Sequence, residues 1–144
     1  MTFIVSPDMS LELADLLLDA VQRSAREQRV RLAAAVVDRG GNLVAAIRMD
    51  HAQLGAMSVA LDKAHTAVSF GHPTRAWAQV STPGGTDWGL AGTLGGRAIV
   101  FPGGLPIFAD ATLIGAVGVS GAASDVDELC AATAVTAAGL ASHS

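Results

Sequence analysis

Apolar residues near the amino terminus recur with the period of an α-helix. They form one stripe at positions i, i+3, i+4, i+7 and i+8, made of Leu13, Leu16, Leu17, Ala20 and Val21. Ser10 precedes this stripe, and a serine there can accept a hydrogen bond from the free backbone N–H groups of a first helical turn. Glu12 adds a negative charge where the helix dipole favours one. The pattern predicts a first helix that begins after Ser10.

The pattern then changes to that of a β-hairpin followed by a helix. Two runs rich in β-forming residues, 31–37 and 43–49, flank the turn-forming residues 38–42. A second helix is predicted from about Gln53 to Phe70, because apolar residues again recur at helical spacing, and Pro73 would end or redirect it. The stripe of this second helix consists of Leu54, Met57, Leu61, Ala64 and Val68.

The segment Ser81–Gly96 has neither period and holds six glycines with Trp88 among them. Long irregular segments inside a domain are often functional, so we interpret this one as a candidate lid. Three β-rich runs follow it, and a last helix is predicted from Ser124, whose spacing to Asp127 fits the S-x-x-D capping signature. The three runs are Arg97–Phe101, Leu105–Ala109 and Thr112–Ser120.

The predicted order of elements is α-β-β-α-loop-β-β-β-α. It predicts an α+β fold in which helices flank a five-stranded antiparallel sheet. A chain of 144 residues has the size of a single domain, and no linker or internal repeat divides it, so we expect one domain over residues 1–144.

Charge and composition narrow the classes of function. The formal net charge is −4, and no run of like charges occurs, which argues against a nucleic-acid-binding protein. No apolar stretch approaches the length that crosses a bilayer, so no membrane association is expected. Only 15% of the residues are charged. A surface with so few charges suggests burial against other copies of the chain, and we predict a homo-oligomer.

The single cysteine and the amino terminus bear on the compartment. Cys130 has no partner for an internal disulfide and is interpreted as a small buried apolar residue of the last helix. Residues 1–10 show no basic cluster followed by an apolar block, so no signal peptide is recognised. These features predict a cytoplasmic protein.

Familiar motifs for phosphate loops, dinucleotide turns, zinc helices and haem attachment are missing, so individual polar residues carry the chemical hypotheses. Lys63 is either a solvated lysine or an ammonium that meets an anionic ligand. His65 is either held by a neighbour or free for acid–base work. Asp127 is explained by helix capping or by a catalytic role. Arg48 and Asp50 form a structural ion pair or a ligand clamp.

The glycine pair Gly103-Gly104 also allows two interpretations. It is either a simple turn, or a place where a ligand closely approaches backbone N–H groups. We expect the second helix and this pair to converge on one anion-receptive hollow, with Lys63 reaching into it.

Three segments together resemble the GlcG/HbpS family, which also supplies the C-terminal domain of PduO-type cobalamin adenosyltransferases. They are Leu32–Leu43 (LAAAVVDRGGNL), Arg48–Ala67 with its RMD and DKAHTA motifs, and Gly103–Glu128 with GGLPI, IGAVGVSG and the DE pair. The likeness covers almost the whole chain. It implies a profilin-like sandwich that assembles into homo-oligomers, with haem or another small molecule as ligand.

By position, the family motifs include Lys63, Gly103, Gly104 and Asp127, together with Arg48 and Asp50. The residue after Asp50 is commonly glycine in the family and is His51 here. Haem-binding relatives of the PduO type use a histidine in the first helix, where this chain has none, and this departure counts against haem. If haem is the ligand, the candidates for the axial ligand of its iron are His51 and then His65.

Three hypotheses of function follow. The first is a small-ligand-binding protein, with haem as the ligand associated with the family, in which the propionates lie near Lys63 or Arg48. The second is a cofactor-free isomerase, lyase or hydrolase acting on a small carboxylate. There Lys63 and Arg48 would hold the anion and His65 or His51 would move a proton, which is typically worth about 10²–10⁴-fold in rate. The third is a structural or sensory assembly partner.

Overall fold

The protein is described by a computed structural model that covers residues 1–144. Helix α1 spans Leu11–Glu27, and the Oγ of Ser10 accepts a hydrogen bond from the backbone N–H of Leu13. The predicted cap is therefore confirmed. Leu17, Leu18 and Val21 are buried in the main core, whereas Leu16 of the predicted stripe is exposed.

Four antiparallel strands form one sheet in the order β2-β1-β4-β3. Their bounds are β1 Ala33–Asp38, β2 Leu43–Arg48, β3 Gly104–Ala109 and β4 Thr112–Ser120. Ala33 of β1 pairs with Arg48 on one side and with Ser120 on the other. This register brings the end of β2, the start of β1 and the end of β4 to the same end of the sheet. Gly104, which pairs with Gly118, places the start of β3 there as well.

Helix α2, Ala56–Phe70, lies on one face of the sheet, and α1 with α3, Ser124–Ala137, lies on the other. The main core fills the space between the sheet and α1 and α3. On the other face α2 comes so close to β4 that a Cβ on Gly118 would sit 2.0 Å from the carbonyl oxygen of Ala60. Small residues at both sides of this contact permit it.

The close approach changes which side of α2 is buried. The buried residues are Ala56, Ala60, Lys63, Ala64, Thr66, Ala67 and Val68. Leu54 is exposed and lies before the helix, which begins at Ala56 and not near Gln53. The predicted stripe is thus right for Ala64 and Val68 and wrong for Leu54, because a glycine-lined sheet accepts an alanine face more closely than a leucine face.

The expectation of five strands is wrong, since the sheet has four. Residues 97–101, which the sequence predicts as a strand, run beside α2 instead of pairing with β3. The hydroxyl of Thr66 accepts a hydrogen bond from the backbone N–H of Ile99 at 3.0 Å and lies 3.3 Å from the carbonyl oxygen of Arg97. A helix side chain therefore satisfies the Ile99 N–H, which a neighbouring strand would otherwise have to satisfy.

The outer edge of β3 is taken by another segment. Phe108 exchanges backbone hydrogen bonds with Ala141 near the carboxyl terminus, at 2.8 and 3.2 Å. This bridge covers part of the edge where a fifth strand would add. The edge of β2 carries no such bridge.

Two further predictions of local structure have definite outcomes. Helix α3 begins at Ser124 as expected, but the capping residue is Ala123 and the Ser124 side chain makes no capping bond. The segment Ser81–Gly96 folds into turns and two short 3-10 helices, Leu90–Gly92 and Leu94–Gly96. Its role as a lid stays a prediction. None of the helices has the length and apolar character needed to span a membrane.

Candidate functional site

Lys63 is one of two fully buried charged residues, with 1% of its surface exposed. It starts from α2 on one face of the sheet, and its Nζ reaches past the end of the sheet toward α3 on the other face. There Nζ donates hydrogen bonds to the Val119 carbonyl oxygen at 2.8 Å and to Oδ2 of Asp127 at 3.1 Å. The Phe101 ring lies over Nζ, with its centroid 5.2 Å away. The Lys63 side chain therefore joins α2, β4 and α3.

Asp127 is as deeply buried as its partner. Its Oδ1 accepts a hydrogen bond from the backbone N–H of Ala122 at 2.9 Å, just before α3 begins. Burial raises the pKa of the Asp127 carboxyl, and the Ala122 N–H and the Lys63 ammonium oppose that rise. Burial also lowers the pKa of the Lys63 amine, against the attraction of Asp127. Asp127 thus combines a hydrogen bond to the backbone just before α3 with charge pairing to Lys63.

The glycine pair is required by the path of this lysine. A Cβ on Gly103 would lie 2.5 Å from the Lys63 Nζ and 2.6 Å from the Val119 carbonyl oxygen, and Gly103 has a φ of 131°. A Cβ on Gly104 would lie 2.4 Å from the carbonyl oxygen of Lys63. The predicted convergence of α2 with Gly103-Gly104 is present. The hollow is not, because protein atoms fill the space around the amine and none of the three clefts of the molecule reaches Lys63.

The other predicted ligand-binding residues lie in an open cleft of about 470 Å³ at the same end of the sheet. Arg48, Asp50 and His51 line it from the end of β2 and the turn after it. Arg48 is separated from Ser120 by one strand, so two strand spacings, roughly 10 Å, lie between this cleft and the backbone near Lys63. The cleft is completed by Gln22 and Arg26 of α1, Arg31 before β1, and Met49. We call it the arginine cleft.

The three arginines of this cleft form no ion pair within the chain. The ion pairs of the chain join Lys63 to Asp127, Arg75 to Glu128 and Arg97 to Asp62, and none involves Arg26, Arg31 or Arg48. Arg48 and Asp50 therefore do not form the ion pair that was one of their two predicted roles. With Asp50 as its only carboxylate, the cleft has a formal charge of +2 when His51 is neutral, in a protein whose net charge is −4.

His51 occupies a backbone conformation that costs free energy. Its φ of 63° lies in the left-handed region, which is uncommon for a residue with a Cβ and is shared here by four other non-glycine residues. The turn is closed by a hydrogen bond from the Ala52 N–H to the Met49 carbonyl oxygen at 3.1 Å. Glycine would fit this position without strain, yet the chain has an imidazole that lines the arginine cleft.

His65 lies apart from both groups. It projects from α2 toward the turn between β1 and β2, where a Cβ on Gly41 would come 3.0 Å from its Nδ1. Nδ1 is buried and makes no hydrogen bond of ordinary geometry within the chain. Burial lowers the pKa of the His65 imidazole, and the positive charge of Arg97 lowers it further. The structure thus separates His65 from His51 and from the cleft.

The eight residues singled out from the sequence therefore form three groups. Lys63, Asp127, Gly103 and Gly104 meet in a closed core, Arg48, Asp50 and His51 line the arginine cleft, and His65 is alone. Sequence reasoning missed Arg26 and Arg31, although the close spacing of the arginines at 23, 26, 29 and 31 was a visible signal.

The sequence of this chain matches a known protein family. The family model described as "Haem degrading protein HbpS-like" matches residues 9–136. The chain belongs to the HbpS-like family. The resemblance to the GlcG/HbpS proteins inferred from the sequence motifs is confirmed.

Relatives of this HbpS-like chain agree in sequence and in structure. A 15.0 kDa protein from the dhaT–dhaS intergenic region of Citrobacter freundii is 37% identical over 127 residues, which cover 88% of this chain and 89% of the relative. The crystal structure of ORFY from Klebsiella pneumoniae has a TM-score of 0.92 at 35% identity and covers 96% of this chain and 97% of ORFY. A crystal structure named as a PduOC:heme complex has a TM-score of 0.91 at 31% identity, with coverage of 95% and 99%.

Proposed function

We propose that this HbpS-like protein binds a small anionic molecule in the arginine cleft, and that haem is such a ligand. The observation that carries the proposal is the set of three unpaired arginines beside His51 in one open cleft. Guanidinium groups pair with carboxylates such as the propionates of haem. The family description and the PduOC:heme structure support haem at the level of the family.

The donor set of the cleft fits the polar parts of haem. His51 and Met49 are residue types that bind haem iron, and Arg26, Arg31 and Arg48 suit the propionates. His51 would be the residue that binds the iron, since His65 lies outside the cleft. Of the cleft's side chains, Met49 alone is apolar, so one chain offers little surface to the porphyrin faces. When bound, haem would supply a redox-active iron.

Binding is favoured over the cofactor-free enzyme by the state of Lys63. Its amine already donates to Val119 and Asp127 beneath the Phe101 ring, so it has no free approach to a substrate carboxylate. Catalysis by Lys63, His65 and Asp127 stays a prediction that would require Phe101 to move. The role of a structural or sensory partner likewise stays a prediction.

The proposal includes self-association into a homo-oligomer. Large apolar side chains are exposed along the amino-terminal segment, at Phe3, Ile4 and Val5. The edge of β2 also has no neighbouring strand. Both features are typical of surfaces that a second copy covers.

The test is a titration of the full chain with hemin, followed by its Soret band. We expect a saturable shift that is lost in His51→Ala and kept in His65→Ala, which removes an imidazole outside the cleft. Circular dichroism of both variants checks that the fold is retained. A shift that does not saturate, or that survives in His51→Ala, contradicts the assignment of His51.

A further inference from the structure

The charge of the arginine cleft indicates more than a general preference for anions. Arg26, Arg31 and Arg48 come from three different elements, α1, the segment before β1 and the end of β2, and meet around one space. All three side chains are exposed and none forms an ion pair within the chain. A set of arginines drawn together from separate elements can hold more than one carboxylate at once, because each guanidinium offers a planar pair of donors.

The count of charges gives the class of ligand. Asp50 offsets one arginine, which leaves a formal charge of +2. A ligand with two carboxylates would neutralise the cleft, whereas a monocarboxylate would leave one guanidinium unpaired. A cleft of one charge sign also focuses its field on the solvent inside it, which raises the local concentration of counter-ions.

We infer that the arginine cleft recognises dicarboxylates through their two anionic groups, and that haem binds there as one member of this class. The inference rests on the proposed function and adds to it that the carboxylates, and not the iron, decide recognition. Small aliphatic dicarboxylates, which fit within a cleft of about 470 Å³, belong to the same class. Phosphate is the competing anion, since guanidinium groups bind it with similar geometry.

The first experiment compares three porphyrins by equilibrium titration of the full chain. Iron-free protoporphyrin IX should bind within about tenfold of hemin, and its dimethyl ester, which lacks both charges, should bind at least about tenfold more weakly than the diacid. Arg48→Gln should weaken hemin and protoporphyrin IX alike by about tenfold. Arg39→Gln is the matched control, because Arg39 is an exposed arginine in the turn between β1 and β2, outside the cleft.

Several results would overturn the inference. One is a dimethyl ester that binds as tightly as the diacid. Another is an Arg48→Gln variant that behaves like Arg39→Gln. If hemin binds and the ester binds equally well, haem binding stands and recognition through carboxylates fails.

A second experiment keeps the inference testable without haem. Calorimetric titration with glutarate, butyrate and inorganic phosphate compares a dicarboxylate, a monocarboxylate and the competing anion. Glutarate should bind at least about tenfold more tightly than butyrate and more tightly than phosphate. Added salt should weaken the binding, since exposed charges are screened. If hemin fails to bind and glutarate binds, the haem proposal falls and the dicarboxylate site stands. A preference for phosphate, or equal affinity for glutarate and butyrate, overturns the inference.

Discussion

Lys63 and Asp127 are held inside an otherwise apolar fold by their hydrogen bonds and by the Phe101 ring over the ammonium. The ammonium donates to a carbonyl and a carboxylate, and the carboxylate also accepts a backbone N–H. A buried ion pair gains little net free energy, because desolvation of both charges offsets their attraction. The loss of one partner, however, leaves the other charge buried and unpaired.

Lys63→Met should therefore destabilise the protein strongly. We expect the free energy of unfolding to fall by about 3–5 kcal/mol, as for other buried pairs broken at one side. In the double variant Lys63→Met/Asp127→Asn no unpaired charge remains, so part of that loss should be recovered. Urea unfolding at neutral pH, followed by circular dichroism, measures both variants.

The ion pair between Arg75 and Glu128 provides the control, because the side chain of Arg75 is mostly exposed. Arg75→Gln should cost less than about 1 kcal/mol. If Lys63→Met costs no more than Arg75→Gln, the pair does not contribute as we describe.

Sequence reasoning selected Lys63 and Asp127 but did not pair them. They lie 64 positions apart, and the position of Lys63 opposite the predicted stripe of α2 suggested a solvent-facing or ligand-facing amine. Because the alanine face of α2 is the buried one, the Lys63 amine points into the protein. Which face of an alanine-rich helix is buried depends on its partner, here the glycines of β3 and β4, and a helical wheel does not contain that information.

At the scale of elements, helices and the hairpin were predictable and the edge of the sheet was not. The strong stripe and the Ser10 cap defined α1, and the turn formers at 38–42 defined the hairpin. Residues 97–101 have the composition of a strand, but the backbone N–H of Ile99 donates its hydrogen bond to the hydroxyl of Thr66. Whether a β-rich run joins a sheet depends on which group satisfies its backbone hydrogen bonds, and that group is distant in sequence.

His65 connects α2 to the turn between β1 and β2 and makes this contact sensitive to pH. Its pKa is lowered by burial and by Arg97, so the folded protein takes up this proton at a lower pH than the unfolded chain, whose histidine has the ordinary value of 6.5. Where the unfolded state binds more protons, stability rises with pH. The contribution of His65 is therefore fully present above pH 6.5 and is lost as the pH falls toward the lowered pKa.

We expect the urea midpoint of the wild-type protein to decrease between pH 7.5 and pH 5.5, and this decrease to become smaller in His65→Gln. His143→Gln is the control, since His143 is exposed near the carboxyl terminus and its loss should leave the slope as in the wild type. Equal slopes in all three proteins would contradict the assignment to His65.

At the scale of the whole molecule, charge and apolar surface are unevenly distributed. The net charge is −4, yet one cleft has a formal charge of +2. Composition predicted the excess of apolar surface but gave no location for either feature, because the cleft is assembled from α1, the segment before β1 and the end of β2. The family resemblance supplied the fold and part of the cleft, while the arginines of α1 and of the approach to β1 became candidates only when the fold brought them beside His51.

The apolar surface predicts assembly, and the amino-terminal segment is where we expect a second copy to dock. Phe3, Ile4 and Val5 are 78%, 92% and 85% exposed, while Met9 and Asp8 anchor the end of the same segment to the fold. Burial of apolar area gains about 25 cal/mol per Å², so three such side chains favour association.

Size-exclusion chromatography with light scattering at micromolar concentration should give a mass that is a multiple of 14.5 kDa. The double variant Phe3→Ser/Ile4→Ser should shift the protein toward the monomer. A wild-type monomer at that concentration contradicts self-association, and a double variant that assembles like the wild type excludes this segment from the interface.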